Sequence, residues 1–300
     1  MRDLLLTGEL RMNNYEIFQN IIKNGSISKT AQLLGYSQSS ISHALMMLEN
    51  DLGCTLLNRS RNGVSLTSDG KELLPYLNDV CNSENRLREK VDELHGLESG
   101  HIRVAAFTST ATQWLPYIIN EFEKLYPGIE FNIMHGSFNE IERWLITGSA
   151  DCAFVRIPTQ QPFKTFFLKD DPFYAIIPTT HKYFNEKFIS VEMLSKEPFI
   201  WQDDGDNEAK PFFDRCGLEP TIKYTAHDIY TVMAMVRVGL GVSLLSALAT
   251  EGYSQILRKP LDIDAIRKIG IAVADNPSSA TRKFVKHVRE WVRKKYHTMD

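Results

Sequence analysis

The sequence predicts an α/β protein with a winged helix-turn-helix at its N-terminus, a long helix after it, and an α/β half that fills the rest of the chain. Three observations predict it. Two amphipathic helices joined by a tight glycine-containing turn are followed by a hairpin signal. A heptad-like apolar repeat then runs from Leu73 to Leu94. From His101 onward, short apolar runs alternate with amphipathic helices. At 300 residues the chain exceeds one ordinary core and is expected to form two or three domains.

In YEIFQNIIK (15–23) apolar residues recur at helical spacing, and Asn24-Gly25 stops the run. Ser26 can cap a second helix, SISKTAQLLG, with Ile27, Ala31 and Leu34 on one face before Gly35 ends it. Ser37 then caps a third, on which Ile41, Leu45, Leu48 and Leu52 form a buried stripe opposite Ser39, Ser42, His43, Met46 and Asn50. LLNRSRNGVSLT reads as two short strands around an Asn62-Gly63 turn, a wing. In such a unit the helix after the tight turn is the one expected in a DNA major groove.

Thr67 or Asp69 can start a long helix bent by Pro75. Leu73, Leu77, Val80, Glu84, Leu87, Val91 and Leu94 alternate steps of four and three along it, a seam with one polar interruption. A lone helix of this length offers no partner for the seam within the chain, so a homodimer is expected. Residues 68–96 are assigned to this linker and dimerisation helix. Beyond residues 96–100 the α/β pattern runs from HIRVAAF to a basic amphipathic C-terminal helix.

Net charge is only −3, which argues against non-specific coating of nucleic acid and leaves room for reading a short site. No segment has the length of a signal peptide's apolar core or of a membrane span, so a cytoplasmic protein with no membrane partner is expected. Cys54, Cys81, Cys152 and Cys216 lie far apart without a CxxC, which predicts reduced thiols, no metal and no cofactor. Gly239-Leu240-Gly241 lacks the third glycine and preceding strand of a nucleotide-binding loop and reads as a helix-to-strand turn.

With these residues laid out, the chain resembles the LysR-type transcriptional regulators from Met12 onward. GSISKTAQLLGYSQSSISHALMMLENDLGCTLLNR followed by LTSDG carries the family's spaced pattern of Ala-x-x-Leu, Ser-Gln, Leu-Glu-x-x-Leu-Gly, Leu-x-x-Arg and Leu-Thr-x-x-Gly. LYPGIEF, TGSADCAFVR and VRVGLGVSLL fit the effector half more loosely. The resemblance implies a DNA-binding domain over 12–70, with its helix-turn-helix at about 26–45, and a two-lobed, periplasmic-binding-protein-like effector domain over 101–300. Lobe I would take about 101–174 and 268–300, and lobe II about 175–267. It also makes residues 1–11 an extension, expected to be dispensable for operator binding.

By the same resemblance, Gln38, Ser39, Ser42 and His43 face bases and phosphates, with Gln38 able to pair bidentately with adenine. Ser28, Lys29 and Thr30 could clamp the DNA backbone, and Arg59 and Arg61 flank the wing tip. The domain is otherwise not basic: Lys23, Lys29, Arg59 and Arg61 balance Glu16, Glu49, Asp51 and Asp69 (4 − 4 = 0). His43, Met46 and Met47 depart from the family, which favours cations or polar residues there. Met46 is expected to pack on the core edge, with contact to thymine methyl groups as the alternative. For Ser37, capping is the expected role.

In a two-lobed α/β domain the ligand lies between the lobes, at strand C-termini and helix N-termini. Thr108, Ser109 and Thr110 are expected to meet an anionic effector there, with Ser137, Arg156, Trp201, Gln202 and His227 lining the same cleft. Each has a structural alternative: Thr108 as a cap, Trp201 in the core, His227 satisfying a helix end. The partners implied are double-stranded DNA, a small-molecule effector, further copies of the chain as a homodimer or homotetramer, and RNA polymerase. Two other functions compete. One is a redox-responsive regulator using Cys152 or Cys216, both expected to be buried and inert. The other is a solute-binding or catalytic α/β protein with a helical oligomerisation module.

Overall fold

The structure, a computed structural model, describes residues 13–60, 63–94, 99–206 and 208–296. The 1–11 extension and Arg61 lie outside the described residues. The chain divides into two compact units, the first running to Val91 and taking in Ile146–Ser149, the second holding the remainder.

In the first unit, α1 (Asn14–Asn24), α2 (Ile27–Leu34) and α3 (Gln38–Leu52) form where local chemistry directs them. Asn13 and Glu16 make a reciprocal capping box at the start of α1. Ser26 accepts from the Lys29 N–H and Ser37 from the Ser40 N–H, so both predicted caps operate. Gly25, Gly35 and Gly53 end the three helices in left-handed conformations. Phe18, Ile21, Ile41, Leu45 and Leu48 fill the core. Leu52 does not join them: at 38 % exposure it falls past the point where α3 leaves the other helices.

The wing pairs β1 (Leu57–Ser60) with β2 (Gly63–Leu66), antiparallel, Ser60 opposite Gly63. Gly63 therefore stands in a strand rather than at the turn centre. Its φ is +118°, and a Cβ there would lie 2.5 Å from the Gly25 carbonyl oxygen, which accepts the Val64 N–H at 3.0 Å. The glycine lets the wing dock on the α1–α2 turn. At the wing's base the Glu49 carboxylate accepts the Leu56 and Leu57 N–H groups at 2.8 and 3.2 Å, a structural reason for the Leu-Glu of the motif. Thr67 accepts from the Gly70 N–H at 2.9 Å and thus starts the long helix α4 (Ser68–Leu94).

The seam on α4 is not the one the repeat suggests. Leu77 is buried, and Leu73 is half-buried, both against the core of their own helix-turn-helix. Glu84 also turns inward, accepting from Asn13 and bonding Arg88, which reaches Glu16 at 3.3 Å. The exposed apolar face is instead Tyr76, Val80, Leu87, Val91 and Leu94. A straight helix drifts about 20° per heptad from a 3.5-residue repeat, so a pattern centred on Leu77 slides off the exposed face.

The second unit comprises β3 (Ser99–Ala106), α5 (Thr108–Gln113), α6 (Leu115–Leu125), β4 (Gly128–His135), α7 (Phe138–Ile146), β5 (Cys152–Ile157), β6 (Lys164–Pro178), α8 (Val191–Ser195), β7 (Phe199–Gln202), α9 (Lys210–Cys216), β8 (Ile222–Ala226), α10 (Ile229–Arg237), β9 (Ser243–Ser246), β10 (Ile256–Pro260), β11 (Ile266–Val273) and α11 (Ser279–Tyr296). Seven strands form one sheet in the order β10-β6-β11-β5-β3-β4, with β9 also on β6. β4, β3 and β5 are parallel, as the strand-helix alternation predicts, but β11 runs antiparallel to both β5 and β6.

The 15-residue β6 belongs to two layers. Up to Pro172 it pairs with β11, and beyond it with β9 and β10. Pro172 opposite Ile266 thus marks where the chain passes between two lobes with separate apolar cores. The Gly239–Gly241 segment joins α10 to β9, as a turn should. Among the described residues no helix is long and apolar enough to cross a membrane.

Replacing Glu49 with Ala leaves two backbone donors without their acceptor. Hydrogen exchange of the full-length protein should then show the Leu56 and Leu57 amides losing about 1–3 kcal/mol of protection, with Glu49→Gln losing less.

Candidate nucleic-acid interface and effector cleft

On α3 the face opposite Ile41, Leu45 and Leu48 carries Gln38, Ser39 and His43, all exposed, with Ser42 half-exposed beside them. Ser37 bonds the Ser39 and Ser40 hydroxyls at 2.8 Å each besides capping the helix. Met46 is 46 % exposed and Met47 40 %, so Met46 does not pack on the core edge as expected. Leu33 on α2, 63 % exposed, and Tyr36 in the turn before α3, 43 % exposed, are further apolar side chains left in solvent. Ser28 and Lys29 are exposed at the start of α2, and Arg59 on β1 is exposed as well. Thr30 does not join them. It is fully buried, and its hydroxyl donates toward the Ser26 and Asn20 carbonyls at 2.8 and 3.2 Å, locking α2 against α1.

The inter-lobe cleft of the second unit encloses about 260 Å³. Thr108, Ser109, Ser137, Gln202 and His227 all line it. Three of the expected residues do not. Thr110 is fully buried and its hydroxyl donates to the Phe107 carbonyl at 2.9 Å. Arg156 stacks over the Phe138 ring at 4.8 Å, and Trp201 packs beside Phe199 in the lobe II core. Side chains of successive strand residues point to opposite faces, which explains why Gln202 reaches the cleft and Trp201 the core.

The hydroxyls at α5 are already engaged. Thr108 Oγ1 bonds His135 Nε2 at 3.0 Å, and Ser109 Oγ accepts from Arg267 Nη2 at 2.7 Å. Arg267 is the residue the sequence reasoning missed. Only 6 % exposed, it also bonds Asp171 through Nε at 2.8 Å, Glu208 through Nη1 at 2.6 Å, and Ser246 through Nη2 at 2.8 Å. Burial opposes its charge, yet Glu208 and Asp171 outweigh burial and hold its pKa above the usual arginine value.

The second omission is a set of carboxylates, Glu140, Asp204, Asp206, Glu208 and Asp228, all lining the cleft. A signal existed: the run Asp203-Asp204-Gly205-Asp206-Asn207-Glu208 directly follows the predicted Trp201-Gln202. Asp206, from lobe II, accepts the Phe138 N–H at the start of α7 in lobe I, at 3.0 and 3.1 Å. It thereby fills the helix N-terminus where an anionic ligand would dock. Burial first, and then the neighbouring Asp204 carboxylate, push the Asp206 pKa up to about 7, against the lowering effect of that N–H. Glu140 is held below the ordinary glutamate range chiefly by the Ser137 N–H, then the Ser137 hydroxyl.

A family model described as bacterial regulatory helix-turn-helix protein, lysR family, matches residues 12–71, and one described as LysR substrate binding domain matches residues 95–293. The chain belongs to the LysR family of transcriptional regulators. Among LysR-family relatives it is 28 % identical to the HTH-type transcriptional regulator YvbU of Bacillus subtilis (strain 168), over 94 % of this chain and 98 % of that protein. A full-length OxyR variant from Pseudomonas aeruginosa has the same fold, with a TM-score of 0.73 at 21 % identity, covering 95 % of this chain and 96 % of that one. Full-length CbnR complexed with its target DNA matches with a TM-score of 0.56 at 21 % identity, covering 93 % and 98 %.

This LysR-family protein is thus a DNA-binding transcriptional regulator with an effector-binding domain. All four cysteines are free thiols. Cys152 is buried and burial pushes its thiol pKa well up, while Cys216, expected to be buried, is exposed.

The Asp206 shift makes a pH prediction. Its pKa is raised from an ordinary 3.8 to about 7, so between those values the folded protein holds a proton that the unfolded chain has released. Stability therefore falls as pH rises from about 4 to about 7 and levels off above that. All four tryptophans lie in the effector half, so their fluorescence reports its thermal unfolding. Between pH 5 and pH 8 the wild type should lose more of its Tm than Asp206→Asn, whose amide keeps an acceptor for the Phe138 N–H.

Proposed function

We propose that this regulator reads its operator through the outward face of α3, acts as an oligomer paired through α4, and changes its DNA binding when a small molecule occupies the inter-lobe cleft. The observation that carries the reading is the division of α3. Ile41, Leu45 and Leu48 are spent on the core, which leaves Gln38, Ser39, Ser42, His43 and Met46 on the outward face of the helix. Gln38 supplies a bidentate amide for adenine, His43 a donor or acceptor, and Met46 an apolar contact for thymine methyl groups. Ser28, Lys29, Arg59 and Arg61 meet phosphates and set register without reading sequence. The target-DNA complex of CbnR supports the assignment of this unit to operator binding.

Such a protein works where the chromosome lies, in the cytoplasm, and its role is regulatory rather than catalytic. RNA polymerase is the protein partner that a promoter-bound regulator would meet. Pairing through Tyr76, Val80, Leu87, Val91 and Leu94 removes an apolar face from water and places two reading helices on two half-sites. A cleft ligand that binds one arrangement of the lobes more tightly shifts the equilibrium between arrangements, and so couples to DNA binding.

Gln38→Ala should weaken binding by about 1–3 kcal/mol and relax preference at one operator position, measured by mobility shift against a set of single-base operator variants. Lys29→Ala should instead weaken binding uniformly across that set. An equal loss on every operator for Gln38→Ala contradicts base reading by that residue. Leu87→Glu places a charge in the α4 face and should shift full-length protein toward monomer in sedimentation velocity. Unchanged association would contradict pairing through α4.

A further inference from the structure

We propose that the inter-lobe cleft selects a small organic ammonium compound, a cation with N–H donors, rather than an anionic metabolite. This rests on the reading of the cleft as the effector site and names the ligand class it takes. The first argument is electrostatic. The lining carries five carboxylates against one guanidinium, and Arg267 already spends each of its three nitrogens on Asp171, Glu208, Ser109 and Ser246. Four of its five N–H groups are so engaged, which leaves a single Nη1 N–H and no paired donors for two-pronged capture of a ligand carboxylate while those bonds hold. An anion would enter a field of its own sign, at an interaction cost that grows in a partly buried site.

The second argument is that the place for an anion is taken. α7 points its N-terminus at the cleft, and the Asp206 carboxylate sits on the Phe138 N–H there. The third is a buried acceptor without a donor. Glu208 Oε1 is shut off from solvent and has no hydrogen-bond partner among the described residues, while Glu208 lines the cleft and a smaller recess next to it. A buried carboxylate oxygen left in that state costs free energy, and a ligand N–H would recover it once the Glu208 side chain turned Oε1 into the cleft. Phe107, Phe138, Ile229 and Ala249 supply apolar walls for the carbon part of such a ligand.

A metal ion fits less well. Among the described residues no three His, Cys, Asp or Glu side chains are grouped closely enough to hold one. The carboxylates are spread around the walls, which suits an organic cation with separated donors. Among the described residues Asp204 accepts from Gln202 and the Asp206 N–H, which leaves lone pairs on both oxygens for a ligand, and Glu140 accepts from Ser137.

Occupancy by a cation is linked to pH. Asp204 and Glu208 on its own loop and Arg156 on β5 act on Asp206, and Glu140, Asp228, His135, His227 and Arg267 line the same cavity. An entering ammonium favours ionised Asp206, so below about pH 7 it must displace a proton. Affinity therefore falls as pH drops, by up to about tenfold per unit.

The test is calorimetric titration of the full-length protein with 1,4-diaminobutane, butylamine, succinate and 1,4-butanediol, matched in carbon count and different in charge. The amines should bind saturably, more weakly at pH 6 than at pH 8, and Asp204→Asn should weaken them by about tenfold or more. Succinate and the diol should not bind. Saturable binding of succinate, no saturable binding of either amine, or amine binding indifferent to both pH and Asp204→Asn overturns the proposal. None of these outcomes depends on DNA, so the cleft's ligand class can fail while operator reading stands, and an absence of operator binding leaves the titration result intact.

Discussion

The buried Arg267 guanidinium organises the effector domain. It sits on β11 next to the point where β6 and β11 pass between the lobes, paired with Asp171 on β6. Its other bonds reach Ser109 on α5, Ser246 at the end of β9, and Glu208 ahead of α9. One side chain therefore ties the floor of the cleft to both lobes. A buried ion pair is a doubtful source of net stability, but removing one partner strands the other and costs about 3–5 kcal/mol. The arrangement fixes geometry more than it adds stability. Among the described residues Arg267 bonds only one of the five carboxylates that line the cavity, Glu208, and leaves Glu140, Asp204, Asp206 and Asp228 apart from it.

The DNA-binding unit follows a different rule, in which almost every feature is local. Caps at Asn13, Ser26, Ser37 and Thr67 and glycines at 25, 35 and 53 set the helix ends within a few residues of themselves. That is why the three helices and the wing were legible in the sequence: hydrogen bonds across three or four residues can be read from spacing alone. The same holds for the outward face of α3, which is what remains once Ile41, Leu45 and Leu48 are buried.

What was not legible depends on residues far apart in the chain. Arg267 gave no sign of its importance because its partners lie 21 to 158 positions away, except for the acidic run after Gln202 that ends in Glu208. The place in the cleft expected of Arg156 failed for that reason, and Ser109, though in the cleft, is already bonded. Each residue was assigned rightly to its strand or helix end, but Arg267 took Ser109 and the Phe138 ring took Arg156. The α4 seam erred more subtly. Leu73 and Leu77 fit the heptad, yet the helix-turn-helix core is the nearer apolar surface, and Tyr76 replaces them on the exposed face.

Coupling between the cleft and the reading helix is the claim on which the functional account turns. DNase I footprinting of the full-length protein on the intergenic region beside its own gene, with and without saturating 1,4-diaminobutane or succinate, tests it most directly. The account predicts a protected site whose extent or half-saturation changes with the diamine and not with succinate. An identical footprint under all three conditions, or no protection at all, would contradict it.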